Sequence, residues 1–360
     1  MSSRWTSSGV VRALELGAAI TGAATAATVA GLAAQRKVAR NRARALDDHG
    51  FGSVHGPVRT LVTPDGVRLH VEVDEPDDGA PGAAPDAPTL VFVHGYLLTL
   101  DCWHFQRLAL RGRHRMVFYD QRSHGRSTAS DPTHSTLEKL GEDLRQVLDE
   151  VAEPGPVVLV GHSMGGMTLM SLAEQYPGVI ADRVAGAAFL ATSGEVGTLL
   201  PGPAGRVVDA VEPIVFGSLA KLTLLVDASR RNTSFALTRR LAFGGSVPHS
   251  LAVFVDQMIS STPSQVLWDF LPSLRLHRRY VALAAYSDVA SLVVGGARDA
   301  ILPLSHAARL ARELPDTELL ELPDAGHMLQ LERPDEVTAA LERLLDRDCH
   351  RAARRPGVGE

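Results

Sequence analysis

Short apolar runs alternate along the chain with longer stretches of helical period. Residues 58–62 and 67–73 carry branched apolar side chains in alternation, and 89–93 (TLVFV) forms a third such run, so three strands open the domain. Strand and helix then take turns: strands at 116–119 and 157–160, helices at 136–151 and 164–175, strands at 184–190, 291–294 and 318–322, and a closing helix near 334–345. Repeated strand-helix units predict an α/β fold with a mainly parallel sheet. The stretch 77–88 (DDGAPGAAPDAP) sustains neither element and is expected to be an exposed hairpin loop.

A long interval separates the strands at 184–190 and 291–294. Its apolar positions, such as Ile214, Leu219, Leu222 and Leu225, then Val253, Phe254, Met258 and Ile259, follow a helical spacing. Pro213, Gly217, Gly244, Gly245, Pro248, Pro263 and Pro272 cut this region into short helices. We read it as a helical cap over a pocket. The expected organisation is an N-terminal hydrophobic helix with a basic segment (1–45), the first part of the core (46–194), the cap (195–285), the second part of the core (286–346) and a tail (347–360).

The head of the chain has its own pattern. Residues 16–34 carry no charge and run into Arg36, Lys37, Arg40, Arg42 and Arg44. A helix over this run is about 28 Å long, near the roughly 30 Å of a bilayer core. A membrane anchor is expected there, and the basic flank directs the large domain to the cytoplasmic side. Alanine, glycine and threonine dominate the run, so a helix packed on the core of a soluble cytoplasmic protein is the alternative. A cleaved signal peptide is opposed by the basic residues that directly follow.

With 360 residues, the chain accommodates one large domain or a core with an insert. Its 36 basic and 41 acidic side chains give a net charge of -5 without a one-sided stretch, which argues against a nucleic-acid partner. Cys102 and Cys349 do not make a disulfide framework. There is no HExxH, no close cysteine and histidine series and no GxxxxGK[ST] run, and Gly295-Gly296-Ala297 lacks a dinucleotide fingerprint. Neither metal nor cofactor is expected, and oligomeric state leaves no signature.

The chemistry concentrates at residues 157–166, VVLVGHSMGG, where a branched strand enters Gly161-His162-Ser163-Met164-Gly165 and then a helix-like segment. This is a nucleophile elbow: the flanking Gly161 and Gly165 let strand and helix meet in a sharp turn that presents the Ser163 hydroxyl. A serine needs a base, and His327 follows the last strand in the required chain order. His162, adjacent on the turn, fills a support position. Asp299 ends the loop after the preceding strand and is the acid that orients His327, in preference to Asp288 and Asp324. The early strand ends in His94-Gly95-Tyr96, a permissive turn supported by His94 and Gly95, and the backbone N–H groups of Tyr96 and Met164 are the expected oxyanion donors. Asp120 and Arg122, in the polar turn 120–127, are expected to satisfy loop backbone groups and each other.

These segments resemble the α/β-hydrolase superfamily, particularly bacterial lipase, esterase and peroxidase-like members: His94-Gly95, Asp120-x-Arg122-x-His124-Gly125-x-Ser127, Gly161-His162-Ser163-Met164-Gly165-Gly166, Gly296-x-x-Asp299 and Gly326-His327-x-x-x-Leu331-Glu332-x-Pro334. The resemblance covers about residues 56–346. It implies an eight-stranded, mainly parallel sheet flanked by helices, with a cap inserted after the sixth strand. It also implies Ser163 as nucleophile, Asp299 as acid, His327 as base, and Tyr96 and Met164 as oxyanion amides. Phe216, Leu219, Leu224, Leu225, Phe235, Leu241, Phe243, Phe254 and Met258 of the cap favour a small hydrophobic or lipid-like ester as substrate. The expected activity is serine-dependent hydrolysis of carboxylic esters. Perhydrolysis or acyl transfer by the same residues is the alternative, followed by a catalytically silent ligand-binding homologue.

Overall fold

The computed structural model describes residues 50–84, 86–152, 154–196, 235 and 238–352, with 348–352 described by backbone alone. Eight strands form one sheet: β1 (Val58–Val62), β2 (Arg68–Asp74), β3 (Thr89–Val93), β4 (Met116–Tyr119), β5 (Val157–His162), β6 (Val184–Leu190), β7 (Ala290–Gly296) and β8 (Thr317–Leu322). Their order is β1-β2-β4-β3-β5-β6-β7-β8. β2 pairs antiparallel with β1 and β4, and all other pairs are parallel.

The side-chain pattern explains the order. Every residue of β3, β4, β5 and β7 is buried, as continuous apolar runs covered by helices on both faces must be. β1 and β8, with mixed patterns, take the edges. The surrounding helices are α1 (His104–Leu110), α2 (Leu137–Glu150), α3 (Met164–Gln175), α4 (Pro177–Arg183), α5 (His249–Ser261), α6 (Ser264–Arg275), α7 (Leu304–Glu313), α8 (Leu329–Glu332) and α9 (Pro334–Ala352). In α2, Leu137, Leu140, Gly141, Leu144, Val147 and Leu148 repeat at helical spacing and are buried. The Thr136 hydroxyl caps that helix by accepting the Lys139 N–H at 3.2 Å.

Two features of this topology position the site. First, chain direction across the sheet reverses between β3 and β5, so their C-terminal ends lie side by side at a switch point, where ligands of open α/β sheets bind. Second, a helical insertion that includes α5 and α6 lies between β6 and β7. Its chain leaves at Glu195 and returns at Arg278, joined by an antiparallel bridge.

Three expectations need correction. The loop over 77–88 is no hairpin, because β2 and β3 do not pair: β4 lies between them, and the loop carries the chain across it. Membrane attachment, and the cytoplasmic topology drawn from it, also fails: among the described residues no helix is long and apolar enough to cross a membrane. Residues 16–34 themselves lie outside the described residues, and their small alanine and glycine side chains supply little transfer energy. Finally, Arg122 does not pair with Asp120. The Asp120 carboxylate accepts the Leu100 and Arg126 N–H groups, each at 2.8 Å. Burial raises its pKa to about 6 against the pull of those two donors.

Arg122 is fully buried and reaches distant partners instead. Its Nε and Nη2 donate to Asp143 of α2, both at 2.7 Å, and its Nη1 donates to Asp65 at 2.9 Å. Asp143 is also buried, so deleting the guanidinium strands a carboxylate away from water. The expected loss for R122A is about 3–5 kcal/mol of unfolding free energy. Urea denaturation of the variant checks it; a loss below about 1 kcal/mol, the range of an exposed pair, would show that this bridge is not a buried support.

Candidate active site

β5 ends in Gly161-His162, and Ser163 follows with φ 51° and ψ -117°, a left-handed backbone that a non-glycine residue adopts only under constraint. The constraint is close packing. A Cβ on Gly165 would lie 2.1 Å from the Val93 carbonyl oxygen, and one on Gly161 would lie 2.7 Å from the backbone of Gly165. Only glycine lets α3 start this near β3 and β5. The turn is further held by Ser163 N–H donating to the Leu190 carbonyl at 2.9 Å and by the Thr192 hydroxyl donating to the Ser163 carbonyl at 2.7 Å.

Ser163, His327 and Asp299 meet here from three separate loops. The Ser163 Oγ lies 2.9 Å from His327 Nε2, and His327 Nδ1 lies 2.8 Å from Asp299 Oδ2. The other Asp299 oxygen accepts the N–H groups of Ile301 and Leu302 at 2.8 and 2.9 Å. Burial works against the Asp299 charge, but the His327 ring and these donors prevail and hold its carboxyl below the ordinary value. With Asp299 ionised, His327 Nδ1 carries the proton and Nε2 is left to accept from the Ser163 hydroxyl.

The support positions surround this line. His162 is fully buried, and its Nε2 donates to the His327 carbonyl at 2.9 Å, so the residue before the serine fixes the loop that carries the imidazole. His94 Nε2 accepts the Gln121 N–H at 2.9 Å, and Gln121 Nε2 donates to the His94 carbonyl at 2.7 Å. The loop then turns through Gly95, Tyr96 and Leu97, the last at φ 59°. A Cβ on Gly95 would stand 2.7 Å from His162 Nδ1. Met164 begins α3 directly after Ser163, and Tyr96 lines the same cavity as Ser163.

That cavity encloses about 430 Å³ and is lined chiefly by apolar side chains, among them Leu97, Leu98, Leu241, Ile259, Leu267, Ile301 and Met328. Of the cap residues named from sequence, Leu241 and Ile259 line it. Phe243, Phe254 and Met258 are buried, and Phe235 meets the His249 ring edge-on. Phe216, Leu219, Leu224 and Leu225 lie outside the described residues. The Tyr96 hydroxyl donates to the Leu267 carbonyl of α6 at 2.5 Å, so its side chain joins core to insertion. Among the described residues no group of three or more histidine, cysteine, aspartate or glutamate side chains is arranged to hold a metal ion. Cys102 is a buried free thiol, its pKa raised chiefly by burial.

Sequence reading missed Thr192, Gln121 and Glu332. Glu332 accepts the N–H of Gly326, next to His327, and that of Gly244, each at 2.8 Å. Its only signal was the Leu-Glu-x-Pro run after the histidine.

A family model described as "Alpha/beta hydrolase family" matches residues 90–340. The chain is 31% identical over 277 residues to the dihydrolipoyllysine-residue acetyltransferase component of the acetoin cleaving system of Pseudomonas putida, a match over 72% of this chain and 62% of that protein. It is 27% identical to an sn-1-specific diacylglycerol lipase of Mus musculus, over 72% of this chain and 81% of the relative. A thermophilic esterase from Thermogutta terrifontis has the same fold, with a TM-score of 0.59, 23% identity, and coverage of 82% of this chain and 99% of the other.

The buried imidazoles make stability depend on pH. Burial, the largest cause for each, pushes His94 and His162 down to about 3 and His124 to about 4, from 6.5. Below 6.5 the unfolded chain takes up protons that these rings refuse in the fold. Their contribution is therefore fully present above about 6.5 and is lost as pH falls toward 4, at on the order of 1 kcal/mol per ring per pH unit. Urea midpoints measured between pH 7 and pH 5 should fall steadily, and less steeply in H124N. A flat profile over that range would contradict neutral, buried rings.

Proposed function

The chain belongs to the α/β-hydrolase family, and from that premise we propose that it attacks carboxylic esters through an acyl-enzyme on Ser163. The observation that carries this reading is the unbroken line from Asp299 through His327 to Ser163, with hydrogen-bond separations of 2.8 and 2.9 Å, beside an apolar cavity. His327 Nε2 removes the Ser163 proton as Oγ adds to the ester carbonyl, and Asp299 stabilises the imidazolium that results. The developing oxyanion is received by the backbone N–H groups of Tyr96 and Met164. His327 then protonates the leaving alcohol, and a water activated by the same ring releases the acid. A cavity walled by leucine, isoleucine and methionine suits an uncharged, hydrophobic acyl chain, with residues 195–285 as its cap.

The acceptor divides two readings. Hydrolysis is supported by the lipase among the relatives. Transfer of the acyl group to another nucleophile is favoured by the acetyltransferase component, the more identical of the two named relatives. Both require the same acyl-enzyme, so partition of product between water, an added alcohol and hydrogen peroxide separates them.

Wild-type protein should be labelled at Ser163 by a fluorophosphonate, and S163A should not. Turnover of p-nitrophenyl esters should fall by about 10⁴-fold in D299N, which leaves His327 in the wrong tautomer. Mass spectrometry of the labelled peptide and initial rates check both. Labelling elsewhere, or full activity in S163A, would remove Ser163 from the mechanism.

A further inference from the structure

Glu332 lies outside the proton path, yet both of its oxygens are committed to backbone at the site. Oε1 accepts the N–H of Gly326, the residue before His327, and Oε2 accepts that of Gly244, where the insertion turns back against the core; both distances are 2.8 Å. The two glycines touch directly: a Cβ on Gly326 would lie 2.3 Å from Gly244 N, and one on Gly244 would lie 2.5 Å from Gly326 N. The Met328 N–H donates to the Ala242 carbonyl at 2.9 Å, so donors on both sides of His327 are tied into this contact. Leu241 and Ala242, just before it, line the cavity.

A hydrophobic side chain would serve if the contact needed only filling. A carboxylate with one oxygen on each of two separate segments does something else: it fixes their spacing. We infer that Glu332 is a positioning residue, which clamps the loop bearing His327 to the end of the insertion and so sets the imidazole against Ser163. The inference rests on the reading of Ser163 and His327 as nucleophile and base.

The carboxylate also adds its charge to the surroundings of the imidazole. The charged and titratable groups around the pair are Asp299 and His162 beside His327, and Arg298, Asp324 and Arg333 on the neighbouring loops. Burial and the nearby Asp299 raise the Glu332 pKa, while its two N–H donors and His327 favour the charged form. Glutamine offers one acceptor where two donors point, so one segment is released.

The test compares E332Q and E332D with the full-length wild type, each normalised by titration of Ser163 with a fluorophosphonate. In E332Q, kcat per titrated site should fall roughly 10- to 100-fold, the scale of a misplacement of about 1 Å, with KM within about twofold. E332D, which keeps a carboxylate on a shorter arm, should also lose kcat per titrated site with KM within about twofold, and it carries the test if E332Q does not fold. Wild-type kcat per site in both variants, or a loss explained wholly by fewer titratable sites, would overturn the inference. Failure of the wild type to label at Ser163 would overturn the hydrolase reading itself, and this inference with it.

Discussion

The left-handed backbone at Ser163 is the constraint on which the rest of the site depends. A serine at φ 51° is held there by its surroundings, because its own preference is elsewhere. β5 must stop, α3 must start within contact of β3 and β5, and the hydroxyl must emerge between them. Gly161 and Gly165 remove the atoms that would block the approach, and Thr192 and Leu190 of the adjacent segment hold the serine peptide on both sides. Because β3 and β5 are neighbours at the point where the sheet changes direction, the same packing brings the His94–Tyr96 turn beside the serine. One local distortion therefore fixes Ser163, the start of α3 and the loop opposite it.

Around that distortion the protein places neutral rings in preference to charges. His94, His124 and His162 are fully buried, and each is oriented by backbone: His94 by Gly95 and Gln121, His124 by the Arg122 carbonyl, His162 by the His327 carbonyl. His94 uses one ring nitrogen as donor and the other as acceptor, and all three rings remain uncharged at this depth. Buried full charges elsewhere are paired, Arg122 with Asp143 and Asp65 and Arg107 with Asp74 and Glu72. Asp299, 2.8 Å from His327 Nδ1, is the carboxylate in direct contact with that ring.

How much of this was legible in the sequence follows from the range of each interaction. The elbow is local, since strand, glycines, serine and helix fall within ten residues, and the apolar runs that make the central strands announce their own burial. His327 and Asp299 were found from chain order, and the structure brings both to Ser163. The partners of Arg122 were not legible, because Asp65 and Asp143 approach from elements 57 and 21 residues away, while Asp120, its sequence neighbour, answers to Leu100 and Arg126. The hairpin at 77–88 failed for a related reason: turn-forming composition marks where a strand ends but carries no information about which strand pairs with it. Thr192 acts through one hydrogen bond to the Ser163 carbonyl and Gln121 through a pair with His94, and no spacing rule reveals such contacts. For residues 16–34 an absence of charge was weighed above apolar transfer energy, and length alone does not make a span.

The insertion bears on the chemistry through a few backbone contacts. Its residues supply Leu241, Ile259 and Leu267 to the cavity, whereas Ser163, His327 and Asp299 all come from loops of the core. The two parts meet where the Tyr96 hydroxyl binds the Leu267 carbonyl, where the Met328 N–H binds the Ala242 carbonyl, and where the backbones of Gly244 and Gly326 touch. Each of these contacts adjoins a residue of the proposed machinery: the oxyanion turn in the first case, the His327 loop in the other two. Side chains in the insertion can therefore change the shape of the cavity without touching the line from Asp299 through His327 to Ser163, because the joints are made by backbone groups that persist under such substitutions. A change that shifts the insertion's backbone acts differently, since it moves the walls and the imidazole together. Substrate preference and catalytic alignment are in this way separable by side-chain substitution and inseparable by backbone displacement.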